Sequence, residues 1–240
     1  MKILILGDGL LAKELIKITN WDYISRKKDN FDIRDKNQYS KYFIESFHGS
    51  IFVSKYDVIV NCVAYTDTFF NDRTLHWDTN YKSVVNLADF CSKNSIKLVQ
   101  ISSDYIYANS VDMATEEDVP CHNNSWYTYT KLLADAYVQL NPTFLILRGT
   151  HKPTPFPYES AWINQIGNFD YVNVMAQKYV QLILQNANGV YNVGTEVKTM
   201  LDLAKKTKNS VGISLTSSPI PRNTTMSINK TTTFLKDKVQ

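Results

Sequence analysis

Four short apolar segments, separated by stretches of helical periodicity, dominate the first 150 residues. They span residues 3–6, 58–63, 98–102 and 143–147. Apolar residues follow one another in these segments rather than alternating with polar ones, which is typical of strands buried on both faces of a parallel sheet. A weaker strand is predicted at 22–25. Helical spacing of apolar residues follows the first segment and precedes the third, so strands and helices alternate along the chain.

This alternation predicts an α/β fold with a doubly wound parallel sheet of the Rossmann type. We assign residues 1–150 to a Rossmann-like domain. After residue 150 the pattern becomes irregular, apart from a helix predicted at 172–185 and a strand at 189–194. Residues 151–240 are therefore expected to form a small substrate-binding subdomain that is partly interleaved with the first domain.

Composition excludes several classes of protein. The 26 Lys and Arg residues against 23 Asp and Glu leave a net charge of only +3, which gives no basis for nucleic-acid binding. No apolar run approaches the ~20 residues of a membrane span. The three cysteines are isolated, so neither a disulfide framework nor a metal site is predicted. The apolar run at 3–6 is too short for a signal peptide, and a cytoplasmic location is expected.

A glycine turn follows the first predicted strand and opens a helix. Residues 7–12 read Gly-Asp-Gly-Leu-Leu-Ala, a G-x-G-x-x-A form of the dinucleotide fingerprint. Gly7 permits the tight turn, Gly9 lets the backbone approach a pyrophosphate, and Ala12 lets the helix pack against the strand. The helix N-terminus then offers free N–H groups to phosphate oxygens. An ordinary glycine turn is the alternative interpretation.

The end of the second predicted strand carries basic residues. Ser25, Arg26 and Lys27 stand where an acidic residue would bind the adenosine ribose of NADH, and basic residues there accommodate the 2′-phosphate of NADPH. The sequence therefore favours NADPH over NADH, unless these cations are only a solvated turn. Asp32 and Ile33, a few residues further on, are candidates to line the adenine.

A Tyr-x-x-x-Lys pair occurs at Tyr127 and Lys131 on a predicted helix, where this spacing puts both side chains on one face. A lysine there can lower the tyrosine pKa and help it transfer a proton. The pair alone is weak evidence, since Tyr23 and Lys27 match by chance. Its context is stronger: the third apolar strand ends in Ser102 and Ser103, whose hydroxyls can bind a substrate carbonyl oxygen.

The order of these motifs resembles the extended short-chain dehydrogenases/reductases. Besides the glycine turn and the Tyr-x-x-x-Lys pair, the chain has Asn-Cys-Val-Ala-Tyr-Thr at 61–66 and Ser-Ser-Asp-Tyr-Ile-Tyr at 102–107. Within that superfamily it is most similar to the dTDP-4-dehydrorhamnose reductases, which read Ser-Thr-Asp-Tyr-Val-Phe where this chain has 102–107. Acidic residues and a proline at 116–120 are a further likeness. The resemblance covers residues 1 to about 150.

The resemblance implies NADPH-dependent reduction of the C4 keto group of a nucleotide-linked 4-keto-6-deoxy sugar, in the biosynthesis of rhamnose or another deoxysugar. It also implies a possible homodimer. Ser103, Tyr127 and Lys131 would be catalytic, with Tyr127 and Lys131 also touching the cofactor. The remaining implied contacts are Gly7, Gly9, Leu10 and Leu11 with the pyrophosphate, Asp32 and Ile33 with the adenine, Val63, Ala64 and Tyr65 on the ribose side, and Asp104 and Tyr105 with the sugar nucleotide.

Two departures from the family pattern keep other functions open. Tyr105 stands where bifunctional epimerase/reductases of the superfamily have a cysteine, which disfavours an additional epimerase activity. The segment 148–153 lacks the tryptophan that lines the sugar pocket in the family. The alternatives are a nucleotide-sugar epimerase or dehydratase of the same superfamily, or a non-catalytic NADP-binding relative.

Overall fold

A computed structural model describes residues 1–47, 51–69, 72–108, 110–118 and 125–237, leaving the side chains of Phe47 and Ile51 aside. Its strands are β1 (Ile3–Leu6), β2 (Asp22–Ile24), β3 (Ile44–Phe47), β4 (Ile51–Ser54), β5 (Val58–Asn61), β6 (Lys97–Ile101), β7 (Phe144–Arg148), β8 (His151–Lys152), β9 (Ser160–Trp162), β10 (Ile166–Gly167), β11 (Asp170–Tyr171), β12 (Gly189–Asn192), β13 (Lys198–Thr199), β14 (Gly212–Ser214) and β15 (Asn223–Thr224).

The helices of the described residues lie between some of these strands or after the last of them. They are α1 (Leu10–Thr19), α2 (Arg26–Asp29), α3 (Tyr39–Phe43), α4 (Arg73–His76), α5 (Ser83–Lys93), α6 (Trp126–Val138), α7 (Val172–Leu184), α8 (Met200–Lys205) and α9 (Asn229–Asp237). A π-helical turn, Trp77–Lys82, joins α4 to α5 without a break. Short 3₁₀ turns lie at Lys36–Gln38 and Asp104–Tyr107.

Six of the strands form one parallel sheet in the order β12-β7-β6-β5-β1-β2. The chain leaves β1 toward β2 on one side and returns to β5 on the other. The helices that follow β1 and β5 therefore lie on opposite faces of the sheet, which leaves a crevice at the carboxyl edge, where open α/β sheets bind their ligands. The predicted doubly wound parallel sheet is confirmed.

Helices cover both faces of this sheet. On one face α1 and α7 pack together, burying Leu15 and Tyr179 against β1 and β5. On the other face α5 and α6 bury Leu87 and Val138. Strands β1 and β5 are buried at every position, which explains why their sequences are continuously apolar.

The chain after residue 150 contributes to two structures. Helix α7 and strand β12 belong to the layers of the central sheet, and Phe234 of α9 packs on Tyr191 of β12 at 5.4 Å between ring centroids. The other segments form pairs or triplets of very short strands, β8–β11, β9–β14 and β13–β10–β15, around a small core of their own. The division at residue 150 stays a prediction.

Strands β3 and β4 form an antiparallel pair that the sequence pattern did not predict. They pair with each other rather than with the central sheet. Within the described ranges, no helix combines the length and the apolar character that crossing a membrane requires.

Candidate active site

The glycine turn after β1 has the geometry that phosphate binding requires. Gly7 adopts φ +102°, which a residue with a side chain rarely adopts, and its N–H donates to the Ile24 carbonyl at 2.9 Å. A Cβ at Gly7 would lie 3.2 Å from Val63 Cγ2, so the loops after β1 and β5 are in close contact. Only glycine suits this position.

The N-terminus of α1 is open. Gly9 is the N-cap residue, no side chain caps the helix, and a Cβ at Gly9 would meet no atom within 4 Å. The free N–H groups of the first turn can therefore donate hydrogen bonds to a ligand's phosphate oxygens. Leu10 is exposed beside them and Leu11 is buried in the core. The residues at this turn fit the pyrophosphate of a dinucleotide.

The loop after β5 forms the other wall of the crevice. Asn61 accepts from the Val63 N–H at 3.1 Å, which fixes the turn before Val63 and Ala64. Asn80, from the π-helical turn, holds Tyr65 through both backbone groups, at 2.8 Å to its N–H and 2.9 Å to its carbonyl. The residues predicted to lie on the ribose side therefore belong to a loop that hydrogen bonds from Asn61 and Asn80 hold in place.

The structure places Ser103, Tyr127 and Lys131 together where β5 and β6 end. Ser103 caps the 3₁₀ turn after β6, accepting from the Tyr105 N–H at 3.2 Å, and its hydroxyl also bonds the Tyr127 phenol. Tyr127 and Lys131 are one turn apart on α6. The Lys131 ammonium donates to the Ile101 carbonyl at 2.5 Å, two residues before Ser103.

Burial controls the ionisation of this group. It raises the pKa of Tyr127 to about 12, a rise that the hydrogen bond with Ser103 opposes and the carboxylates of Asp104 and Asp135 reinforce. It also lowers the pKa of Lys131 to about 8, against the attraction of Asp135. The expected lowering of the tyrosine pKa by Lys131 is not found, because desolvation of the phenol is the larger effect.

Aromatic rings surround Tyr127. Tyr105 meets it edge to face with 6.2 Å between ring centroids, and His76 lies 6.4 Å away on another side. His76 in turn packs against Tyr65 at 4.8 Å. Tyr127 is thereby held in one orientation in an environment poor in water.

Behind helix α6 lies a buried ion pair that no sequence pattern predicted. Asp135, one turn after Lys131, pairs with Arg148 at 3.1 Å and accepts from the Ser102 hydroxyl at 2.8 Å. Both charged side chains are almost completely buried, at 1% and 4% exposed. Arg148 also donates to Tyr107 at 2.5 Å, so α6, β7 and the 3₁₀ turn are tied together. No sequence signal joins residues this far apart.

Several buried polar atoms lie in the segments that follow β6 and β7. Asp104 is buried, which raises its pKa, and it accepts from the Thr150 hydroxyl at 2.5 Å. Gln165 donates to the Tyr105 hydroxyl at 3.1 Å. In the described part of the chain, Asp104 Oδ2 and Gln165 Oε1 have no hydrogen-bond partner, and the same holds for the Tyr179 hydroxyl and His151 Nδ1. Polar atoms left unpaired in this way are common where a polar ligand binds.

The predicted residues after β2 separate into different roles. The Ser25 hydroxyl caps α2 by accepting from the Lys28 N–H at 3.1 Å. Arg26 pairs with Asp32 at 3.1 Å, and Ile33 packs into the apolar core rather than lining the crevice. Lys27 has no ion-pair partner within the described residues. The structure therefore does not bring the Ile33 side chain to the proposed adenine site.

Among the described residues, no cluster of three or more His, Cys, Asp or Glu side chains has the arrangement of a metal site. Cys62 lies after β5 and burial raises its pKa to about 12, and Cys91 is buried in the core. Neither thiol has the thiolate character of a reactive cysteine. Cys121 lies outside the described residues.

The sheet, the glycine turn and the crevice define a Rossmann-like α/β protein. The chain belongs to the RmlD substrate binding domain family, whose sequence profile matches residues 1–151. The resemblance to the dTDP-4-dehydrorhamnose reductases is thereby confirmed at the level of the family. The chain has no significant match among curated protein sequences.

Solved structures share this fold. The dTDP-4-dehydrorhamnose reductase of Bacillus anthracis in complex with NADP is 22% identical, with a TM-score of 0.77 over 96% of this chain and 91% of that one. The orthologue from Clostridium acetobutylicum is 19% identical, with a TM-score of 0.75 over the whole of both chains. The Bordetella bronchiseptica enzyme WbmG, in complex with NAD and UDP, is 15% identical, with a TM-score of 0.73 over 98% and 89%.

Proposed function

We propose that the protein is an NADPH-dependent reductase of the C4 keto group of a nucleotide-linked 4-keto-6-deoxy sugar. The observation that carries this proposal is the convergence of Ser103, Tyr127 and Lys131 beside the open crevice between β1 and β5. The family match and the NADP complex of the Bacillus anthracis relative support the reaction class and the cofactor. A cytoplasmic location and a homodimer stay predictions.

The crevice offers groups that would suit the cofactor, and they belong to residues already described. The turn at Gly7 and Gly9 would hold the pyrophosphate, and Val63 and Tyr65 would flank the ribose. When bound, NADPH supplies the hydride that reduces the carbonyl carbon. Lys131, whose ammonium donates to the Ile101 carbonyl, would hold the nicotinamide ribose.

Tyr127 is the proton donor in this proposal. A pKa of about 12 keeps its phenol protonated at neutral pH, which is the form that a general acid needs. The proton passes to the carbonyl oxygen as hydride reaches the carbon, and the product is the C4 alcohol. Ser103 hydrogen-bonds the same oxygen and stabilises the negative charge that develops on it. Lys131, one turn away on the same face of α6, would place its positive charge on the side of the helix where the tyrosinate forms.

Turnover with defined nucleotide sugars tests the proposal. Purified protein mixed with NADPH and a dTDP- or UDP-linked 4-keto-6-deoxyhexose should oxidise the cofactor and form the 4-hydroxy sugar nucleotide, observed by nicotinamide absorbance and mass spectrometry. Binding of NADPH without turnover of any such ketosugar would contradict the reductase function and favour a non-catalytic role.

A further inference from the structure

A cavity of about 500 Å³ lies between helix α1 and the turn that follows β2. Its wall carries the four lysines Lys13, Lys17, Lys27 and Lys28 against the single carboxylate of Asp8. Asp8 belongs to the Gly7–Gly9 turn, so the cavity begins at the crevice in which the dinucleotide is proposed to bind. A concave surface with this excess of positive charge favours an anionic ligand.

Two of the four lysines already have partners. The Lys28 ammonium donates to the Tyr23 carbonyl at 3.1 Å and stands 4.0 Å from the centre of the Tyr23 ring. Lys17 lies 3.5 Å from the Glu14 carboxylate. The ammonium groups of Lys13 and Lys27 make no hydrogen bond or ion pair with any described residue. They are the two lysines that an incoming anion can engage without breaking an existing contact.

Arg26 is the other cation at the end of β2, but its charge is already matched. Its guanidinium lies 3.1 Å from Asp32, which also binds Arg34 at 2.6 Å. These arginines hold the pKa of Asp32 well below its usual range, so the carboxylate remains charged. Arg26 could bind a phosphate only by sharing or leaving this pair.

We propose that Lys13 and Lys27, rather than Arg26, bind the 2′-phosphate of NADPH. This inference rests on the proposed function for the class of cofactor. In Rossmann-like proteins the adenosine ribose lies near the end of the second strand, beside the glycine turn, which is the position of this cavity. The assignment adds Lys13, a residue of α1 that no fingerprint marks. Asp8 on the same wall repels the phosphate and limits the preference for NADPH.

Equilibrium binding separates this assignment from its competitor. Dissociation constants for NADPH and NADH are measured by calorimetry for the wild type, the double variant Lys13→Ala/Lys27→Ala, Arg26→Ala, and Lys93→Ala as a matched control. Lys93 is exposed at the end of α5. Because hydrogen bonds to charged groups contribute ~1.5–3 kcal/mol, the double variant should lose at least about tenfold in NADPH affinity. Its NADH affinity should change less than about twofold.

A second variant tests the opposing charge. Asp8→Asn should tighten NADPH and leave NADH nearly unchanged, because it removes repulsion of the phosphate. A loss of NADPH affinity in Arg26→Ala that equals or exceeds the double variant's would overturn the inference, as would equal losses of NADPH and NADH in the double variant. The proposed function fails separately: a wild type that binds neither dinucleotide contradicts the reductase, whereas one that binds both equally contradicts only the 2′-phosphate site.

Discussion

The central sheet and the short-strand region after residue 150 hold the site in different ways. In the central sheet, the Gly7 turn, Ser103 and Lys131 are positioned by strands of four or five residues and the helices that follow them. On the substrate side, contacts join residues far apart in sequence. Gln165 reaches Tyr105 across 60 positions, and Thr225 holds the Met113 N–H across 112. The cofactor side thus follows from local βα geometry, whereas the substrate side depends on long-range contacts.

The largest effect is expected from Tyr127→Phe, which removes the proton donor and leaves its ring in place. Turnover of the ketosugar should fall by ~10²–10⁴-fold, the usual contribution of a general acid, while the NADPH dissociation constant changes little. Steady-state rates and calorimetric binding check both parts. A variant that retains near wild-type turnover would remove Tyr127 from the mechanism.

Asp135→Ala tests how much the buried ion pair between Asp135 and Arg148 stabilises the central-sheet region. The change leaves Arg148 buried and unpaired, so the free energy of unfolding should drop by about 3–5 kcal/mol in urea denaturation. Asp78→Ala is the matched control, because the Asp78–Lys82 pair is more exposed and should contribute less than about 1 kcal/mol. Equal effects of the two substitutions would show that the buried pair does not stabilise the sheet region.

The pH dependence should report Lys131 rather than Tyr127. Lys131 has its pKa lowered to about 8, so its ammonium loses a proton as pH rises through that value, while Tyr127 stays protonated up to about 12. We expect kcat/KM for NADPH to decline by about tenfold per pH unit above pH 8. In Lys131→Arg the decline should move beyond pH 10, since arginine keeps its charge. A flat profile to pH 10 in the wild type would contradict the role of Lys131.

The smallest effect is expected on the substrate side alone. Gln165→Leu removes the hydrogen bonds to the Tyr105 hydroxyl and the Pro221 carbonyl. KM for the nucleotide sugar should rise by about tenfold, because Tyr105, a proposed contact of the sugar nucleotide, loses the hydrogen bond that Gln165 donates to its hydroxyl. NADPH binding should be unchanged. Ile163→Ala, at an exposed neighbouring position, is the control. A parallel loss of NADPH affinity would mean that the proposed substrate-binding residues also influence cofactor binding.

The same contrast explains what the sequence could predict. Continuous apolar runs located β1, β5, β6 and β7, because strands buried on both faces need such sequences. The predicted 58–63 strand nevertheless ends at Asn61, since the loop beyond it is fixed by side-chain bonds from Asn61 and Asn80. Pairings such as Asp135 with Arg148 have no local signal and could not be predicted.

The residues of the candidate site also differ in whether a local sequence motif predicts them. The glycine turn and the Tyr127–Lys131 spacing are visible in sequence because each lies within one turn and one helix. The assignment of Ile33 to the adenine came from its position in the chain and from the family resemblance, and the structure buries that side chain in the core. His151 and Gln165 have no motif around them; only the fold shows that each keeps a buried polar atom unpaired.

In the proposed reaction, hydride and a proton are added to a sugar carbonyl at the Tyr127 site. Isotope transfer tests it most directly: NADPH deuterated at the transferred C4 position is incubated with protein and a dTDP-linked 4-keto-6-deoxyhexose. We expect the wild type to form product with one deuterium at C4 of the sugar, and Tyr127→Phe to form no such product at a comparable rate. Product lacking deuterium, or no product from protein that binds NADPH, would contradict it.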